Sequence, residues 1–119
     1  IDKGQIEGAY VQGMGWLTME QIIWDKKGKL LTHGPSTYKI PVAGDVPEHF
    51  KVSFFENQNV KPTPFRSKAV GEPPLMLALS AYFSLRDAVG AVAPGKVVRM
   101  DAPATPEAVL MACEAIKRA

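Results

Sequence analysis

A pair of prolines, Pro73 and Pro74, precedes the most apolar stretch of the chain and limits how that stretch can fold. Proline is tolerated in the first turn of a helix, where its missing N–H would be unpaired anyway, but it is costly further inside. A helix over residues 73–90 must therefore begin at these prolines, with Glu72 at or beside the N-cap. Apolar residues occupy nearly every side of this helix, which is typical of a buried one.

Glu72 has two interpretations from the residues alone. The positive end of a helix dipole favours the ionised form of a carboxylate, whereas burial favours the protonated form. A carboxylate held between these two effects can serve as a general base. The alternative is a helix-capping carboxylate with no catalytic task, and the spacing alone favours that alternative.

Residues 5–24 show the spacing of a second helix. The stripe that it is expected to bury consists of Ile6, Tyr10, Gly13 and Leu17. Gly8, Gly13 and Gly15 lie inside this helix, and each glycine costs about 1 kcal/mol relative to alanine. We therefore expect the helix to gain tertiary support through close approach to another backbone or to a ligand.

Short extended segments and one further helix complete the prediction. Thr105 and Pro106 have the residue types of an N-cap and a first helical position, so they begin the last helix. Strands are expected at 29–32, 36–40, 50–55 and, as a short edge strand, 97–100. The fold class that follows is α+β, with three helices packed against a small mixed or antiparallel sheet.

Composition excludes several classes of protein. The single cysteine, Cys113, rules out an internal disulfide framework, and no Cys/His spacing indicates a zinc site. His33 and His49 lack partners at the spacing of a metal site or a catalytic triad, so no metal ligand is expected in the chain. The net charge of +2 includes no large basic patch, and no apolar run could span a bilayer. We expect a cytoplasmic protein that binds neither nucleic acid nor membrane.

The chain begins with Ile1 rather than methionine and enters a helical pattern within a few residues. Together with the apolar character of 73–90, this start predicts that the sequence is one piece of a larger body.

Four segments, in order along the chain, resemble the molybdenum hydroxylases of the xanthine dehydrogenase and aldehyde oxidase family. They read Gly-Gln-Ile-Glu-Gly-Ala at 4–9, Gly-Pro-Ser-Thr-Tyr-Lys-Ile-Pro at 34–41, Ser-Lys-Ala-Val-Gly-Glu-Pro-Pro at 67–74 and Asp-Ala-Pro-Ala-Thr-Pro-Glu at 101–107. The resemblance covers essentially residues 1–119. It implies a single, incomplete domain, the C-terminal portion of the molybdopterin-binding domain in the molybdenum-binding subunit.

The resemblance also implies roles for particular residues. Glu72 would be the general base that activates a molybdenum-bound hydroxyl. Gln5 would hydrogen-bond the pterin part of the molybdenum-molybdopterin cofactor, and Val70 and Gly71 would lie near the metal. Taken alone, Gln5 is interpreted as a surface amide or helix cap, and Val70 and Gly71 as a tight turn into the helix.

For the parent enzyme, the resemblance implies oxidation of hypoxanthine, xanthine or a similar N-heterocycle with water-derived oxygen. The expected partners are the remainder of the molybdenum-binding subunit and the domains or subunits that carry 2Fe-2S clusters and FAD. The isolated chain would be inactive and would expose apolar surface through which it could self-associate. An aldehyde oxidase-type hydroxylase and a non-catalytic, stand-alone scaffold or interaction domain are the alternatives.

Overall fold

Helices dominate the computed structural model, which describes residues 1–68 and 70–119. The α-helices are α1 (Asp2–Thr18), α2 (Leu79–Gly90) and α3 (Pro106–Arg118). Short 3-10 helices lie at Ala43–Asp45, Pro64–Arg66 and Pro73–Ala78. The last of these runs directly into α2, so the predicted helix at 73–90 forms in two parts, the first wound more tightly than the second.

The expectation of an α+β fold with a small sheet is wrong, because the described part of the chain contains no strand. An isolated antiparallel bridge joins Trp24 and Leu30, and beside it the Leu31 N–H donates to the Ile23 carbonyl at 2.8 Å. The segments expected as strands, at 29–32, 36–40, 50–55 and 97–100, otherwise run as loops and turns. A strand needs a neighbouring strand to pair its N–H and C=O groups, and local alternation of residues does not supply that neighbour.

Helix α1 is displaced towards the N-terminus relative to the predicted 5–24. It starts at Asp2 and ends at Thr18, where the N–H groups of Met19 and Glu20 both bond to the Gly15 carbonyl. Met19 then leaves helical geometry at φ −145°. The following residues turn towards the Trp24–Leu30 bridge, which competes with continuation of the helix.

The capping prediction for α3 is confirmed. Thr105 is the N-cap, and its hydroxyl oxygen accepts a hydrogen bond from the Ala108 N–H at 3.2 Å, with Pro106 as the first helical residue. Helix α3 packs on the end of α2 through a small core of Val89, Ala112 and Ile116. Through this core α3 contacts α2, the helix that follows Glu72 and the Pro73–Ala78 3-10 helix.

Much apolar surface remains uncovered in this chain. The helix expected to be buried on all sides leaves Met76, Leu77 and Phe83 about half exposed. The radius of gyration is 18.2 Å, whereas a compact domain of this length has about 13 to 14 Å. None of the described helices is long and apolar enough to cross a bilayer.

Candidate functional site

A cavity of about 370 Å³ lies between the first half of α1 and the segment that precedes Pro73. Its lining residues are Gly4, Gln5, Gly8, Ala9, Gln12, Gly71 and Glu72. The structure thus brings three of the four residues expected at the site, Gln5, Gly71 and Glu72, to one place. Their individual roles stay predictions.

Helical periodicity explains the contribution of α1. Gly4, Gly8 and Gln12 are spaced four residues apart and so follow one another along the same side of the helix. Gln5 sits in the first turn, where its N–H donates to the Ile1 carbonyl at 3.0 Å. Ala9 is buried at the base of this face. The α1 side of the cavity therefore combines two amide side chains with positions that carry little or no side chain.

The glycines around the cavity stand next to open space. A Cβ atom built on Gly4, Gly8 or Gly71 would meet no atom within 4 Å apart from its chain neighbours and the backbone of its own helix. Protein packing therefore does not require glycine at these positions. Their effect is to leave the backbone accessible and the cavity wide.

Glu72 is the N-cap residue of the Pro73–Ala78 3-10 helix, as the prolines predicted. Its side chain makes no capping hydrogen bond, which weakens the interpretation of Glu72 as a helix-capping carboxylate. The two prolines that follow have no N–H to offer it. Its backbone carbonyl accepts from the Leu75 N–H at 2.8 Å, so the residue is held through its main chain while the exposed carboxylate is left for the cavity.

Helix α1 packs closely on the Pro73–Ala78 3-10 helix, the element that directly follows Glu72. Gly13 lies against the Leu75 carbonyl and the Ala78 side chain, and a Cβ on Gly13 would clash with both. The expectation that a glycine of α1 permits close approach to another backbone is confirmed at this position. A Cβ on Gly15 would also clash, in this case with the ring of Pro41.

Other residues that the sequence singled out lie outside this cavity. Val70 is half exposed and does not line it, and Lys68 is exposed. His33 and His49 are exposed on loops. Among the residues that the structure describes, no set of three or more His, Cys, Asp or Glu side chains is placed to hold a metal ion.

A larger cavity, of about 590 Å³, lies apart from Glu72 and is lined mainly by apolar residues, among them Ile22, Tyr38 and Ile40. Tyr38 donates a hydrogen bond to Glu20 at 2.5 Å. This hydrogen bond, with partial burial and the negative charge of Glu20, raises the pKa of Tyr38. The cavity contains none of the expected site residues, and we interpret it as apolar surface left open by the unpaired segments at 29–42.

Sequence reasoning missed several lining residues of the smaller cavity. Gly4, Ala9 and Gln12 carry no individual prediction, and Gly8 was expected only to support close approach. The available signal was the helical spacing, because residues three, four and seven positions from Gln5 share its side of a helix. Nothing local in the sequence indicated that this side would face Glu72.

Comparison with known proteins decides the family. A family profile described as "Molybdopterin cofactor-binding domain" matches residues 1–47. Xanthine dehydrogenase/oxidase of Felis catus is 46% identical over 120 residues, which is 95% of this chain. The chain belongs to the xanthine dehydrogenase family. Within that family, xanthine dehydrogenase 2 of Arabidopsis thaliana is 46% identical over 95% of this chain, and xanthine dehydrogenase of Dictyostelium discoideum is 50% identical over 76%.

The chain spans only a small part of these xanthine dehydrogenases. It covers 9% of the Felis catus and Arabidopsis thaliana proteins and 7% of the Dictyostelium discoideum protein. The family profile includes the α1 residues of the cavity but ends before Gly71 and Glu72. The match to the xanthine dehydrogenases covers nearly the whole chain, so it includes the residues on both sides of the cavity.

Proposed function

We propose that residues 1–119 are the C-terminal portion of the molybdopterin-binding domain of a molybdenum hydroxylase, and that the complete enzyme oxidises hypoxanthine, xanthine or a similar N-heterocycle with water-derived oxygen. The observation that carries this proposal is the shared cavity of Gln5, Gly71 and Glu72. Gln5 comes from one segment of the chain and Gly71 and Glu72 from another, and the motifs at 4–9 and 67–74 predict all three at the site. Membership of the xanthine dehydrogenase family supports the same activity and substrate class.

The residues of the cavity fit the molybdenum-molybdopterin cofactor. Gly4, Gly8 and Gly71 leave room for a flat ligand to approach the backbone, and a Cβ atom at any of them would occupy that room. The amides of Gln5 and Gln12 can donate and accept hydrogen bonds together, which suits the mixed edge of a pterin. When bound, the cofactor supplies the two-electron redox chemistry, and the protein supplies binding, orientation and proton transfer.

We assign the proton transfer to Glu72. Its carboxylate lines the cavity and receives no hydrogen bond from the residues that the structure describes, so its oxygens are free to accept a proton. In this proposal Glu72 takes the proton that the water-derived oxygen loses as it attacks an electron-poor carbon of the substrate, and the two electrons of the C–H bond that breaks at that carbon would be accepted by the cofactor. Gly71, directly before it, adds no side chain that would obstruct the approach.

The exposed apolar surface supports the proposed partners. Phe55, Val60 and Phe65 are almost fully exposed, and Met76, Leu77 and Phe83 are about half exposed. A surface of this kind is normally covered by protein. We propose that the remainder of the molybdenum-binding subunit covers it and also encloses Glu72. The 2Fe-2S and FAD domains of the complete enzyme would pass on the electrons.

The test is to purify the complete protein and to measure its molybdenum content together with its oxidation of xanthine and of an aromatic aldehyde. Bound molybdenum with preferential purine oxidation is the expected result. Preferential aldehyde oxidation would reject the proposed substrate class. A protein that folds but holds no molybdenum and oxidises neither compound would instead support a non-catalytic scaffold.

A further inference from the structure

Helix α1 contains two kinds of glycine. Gly4 and Gly8 stand next to open space along the cavity, whereas Gly13 and Gly15 are buried in contact with other parts of the chain. At Gly13 an added Cβ would lie inside van der Waals distance of the Leu75 carbonyl oxygen and 2.8 Å from the Cβ of Ala78. Ala78 is fully buried, so this contact has no free space around it.

The contact at Gly13 is linked directly to Glu72. The Leu75 N–H bonds to the Glu72 carbonyl at 2.8 Å, and the intervening Pro73 and Pro74 have restricted backbone angles. Leu75 and Glu72 therefore belong to one stiff turn. A displacement of the Leu75 backbone away from α1 would therefore shift Glu72 relative to Gln5.

We infer that Gly13 is a positioning residue for Glu72, and this inference rests on the proposed function. The absence of a side chain at Gly13 determines how closely α1 and the Pro73–Ala78 3-10 helix approach each other. This distance in turn sets the separation between Glu72 and the α1 residues that line the cavity. Gly13 does not line the cavity, and it acts on Glu72 through its contact with Leu75.

Alanine at Gly13 cannot be absorbed by a side-chain rotation, because the nearest atoms are a backbone carbonyl and the Cβ of Ala78. The two elements must separate by a fraction of an ångström or more. Misplacement of a catalytic group by 1 Å can cost about 10²-fold in rate. A displaced base lowers kcat, whereas KM is less affected when ground-state binding is unchanged.

Gly15 provides a matched control on the same helix. A Cβ there would clash with the ring of Pro41 and approach Glu20 Oε1 at 2.9 Å, so Gly15→Ala causes a comparable disturbance on a side that does not lead to Glu72. The experiment compares Gly13→Ala, Gly15→Ala and Glu72→Gln in the complete enzyme. It measures thermal stability, molybdenum content, and kcat and KM per bound molybdenum, with crystal structures of the two glycine variants.

Both glycine variants should lose thermal stability. Only Gly13→Ala should lower kcat per molybdenum, by about 10- to 100-fold with a smaller change in KM, and should show a wider gap between α1 and Leu75. Equal kcat in the two glycine variants, while Glu72→Gln is inactive, would overturn the positioning role alone. An active Glu72→Gln enzyme would instead reject the proposed function.

If Gly13→Ala does not fold, Ala78→Ser tests the same contact from the other side, because it adds one oxygen atom to the residue that faces Gly13. A several-fold lower kcat per molybdenum is expected in Ala78→Ser. An unchanged kcat in that variant would overturn the inference.

Discussion

Gln5 and Glu72 line the same cavity, although Gln5 belongs to the first turn of α1 and Glu72 directly precedes the 3-10 helix that leads into α2. Neither residue reaches the cavity by local structure alone. Their meeting depends on the packing of α1 against Pro73–Ala78, which Gly13 permits. Gln5, the proposed cofactor contact, thus lies on one of two packed helices, and Glu72, the proposed base, directly precedes the other.

A side chain that fills the cavity at Gly8 should raise the stability of the protein and lower its cofactor content. Gly8→Leu replaces a glycine in a helix interior by a good helix former, so the free energy of unfolding should rise by about 0.5–1 kcal/mol. The Leu side chain would occupy the open space beside Gly8, so the molybdenum content of the complete enzyme should fall severalfold. Gly8→Ala, with a much smaller side chain, is the control and should retain more metal. A full complement of molybdenum in Gly8→Leu would show that the ligand does not approach this face.

Removal of the cap of α3 should loosen that helix locally. Thr105→Ala deletes the oxygen that accepts from the Ala108 N–H, and loss of such a cap costs about 1 kcal/mol. Amide exchange at the start of α3 should therefore accelerate by about fivefold, as followed by hydrogen–deuterium exchange. Thr105→Ser keeps the oxygen and should behave like the unmodified protein. Equal acceleration in both variants would mean that the methyl group, not the cap, matters.

The hydrogen bond from Tyr38 to Glu20 should make stability depend on pH in the alkaline range. The pKa of Tyr38 is raised above its ordinary value of 10.0, chiefly by this hydrogen bond, so the folded state favours the protonated phenol. The resulting stabilisation is complete below about pH 10 and is lost as the pH rises through the raised pKa.

Tyr38→Phe should therefore be less stable than the unmodified protein at pH 8, and the difference in melting temperature should shrink as the pH rises above 10. Tyr10→Phe is the matched control, because the Tyr10 ring packs on Phe50 and the described residues give its hydroxyl no hydrogen bond. A difference between Tyr38→Phe and the unmodified protein that stays constant from pH 8 to pH 11 would contradict this account.

Local signals in the sequence predicted the starts of two helices, although they did not predict the bounds of α1. Thr105 and Pro106 began α3, and Pro73 marked the start of the helix after Glu72, because capping and the missing proline N–H act within a few residues. The buried face of α3 does not follow from residue size, because Leu110 is exposed whereas the smaller Ala112 is buried.

The strands could not be predicted in the same way, because pairing is not a local property. The segment at 50–55 alternates as a strand would, yet Phe54 and Phe55 are exposed and unpaired with any described strand. The cavity, too, depended on contact between distant segments. The motifs identified Gln5, Gly71 and Glu72 as candidates, but only the packing around Gly13 shows why they face one another.

The most direct test of the central claim is turnover of a purine per bound molybdenum in the complete enzyme carrying Glu72→Gln, measured beside Glu48→Gln. Glu48 is exposed on a loop and does not line the cavity, so its substitution changes charge equally without touching the proposed site. Loss of the general base should lower turnover by at least about 10²- to 10⁴-fold in Glu72→Gln with molybdenum retained, and Glu48→Gln should be unaffected. Near-normal turnover in Glu72→Gln would contradict the claim that Glu72 is the base.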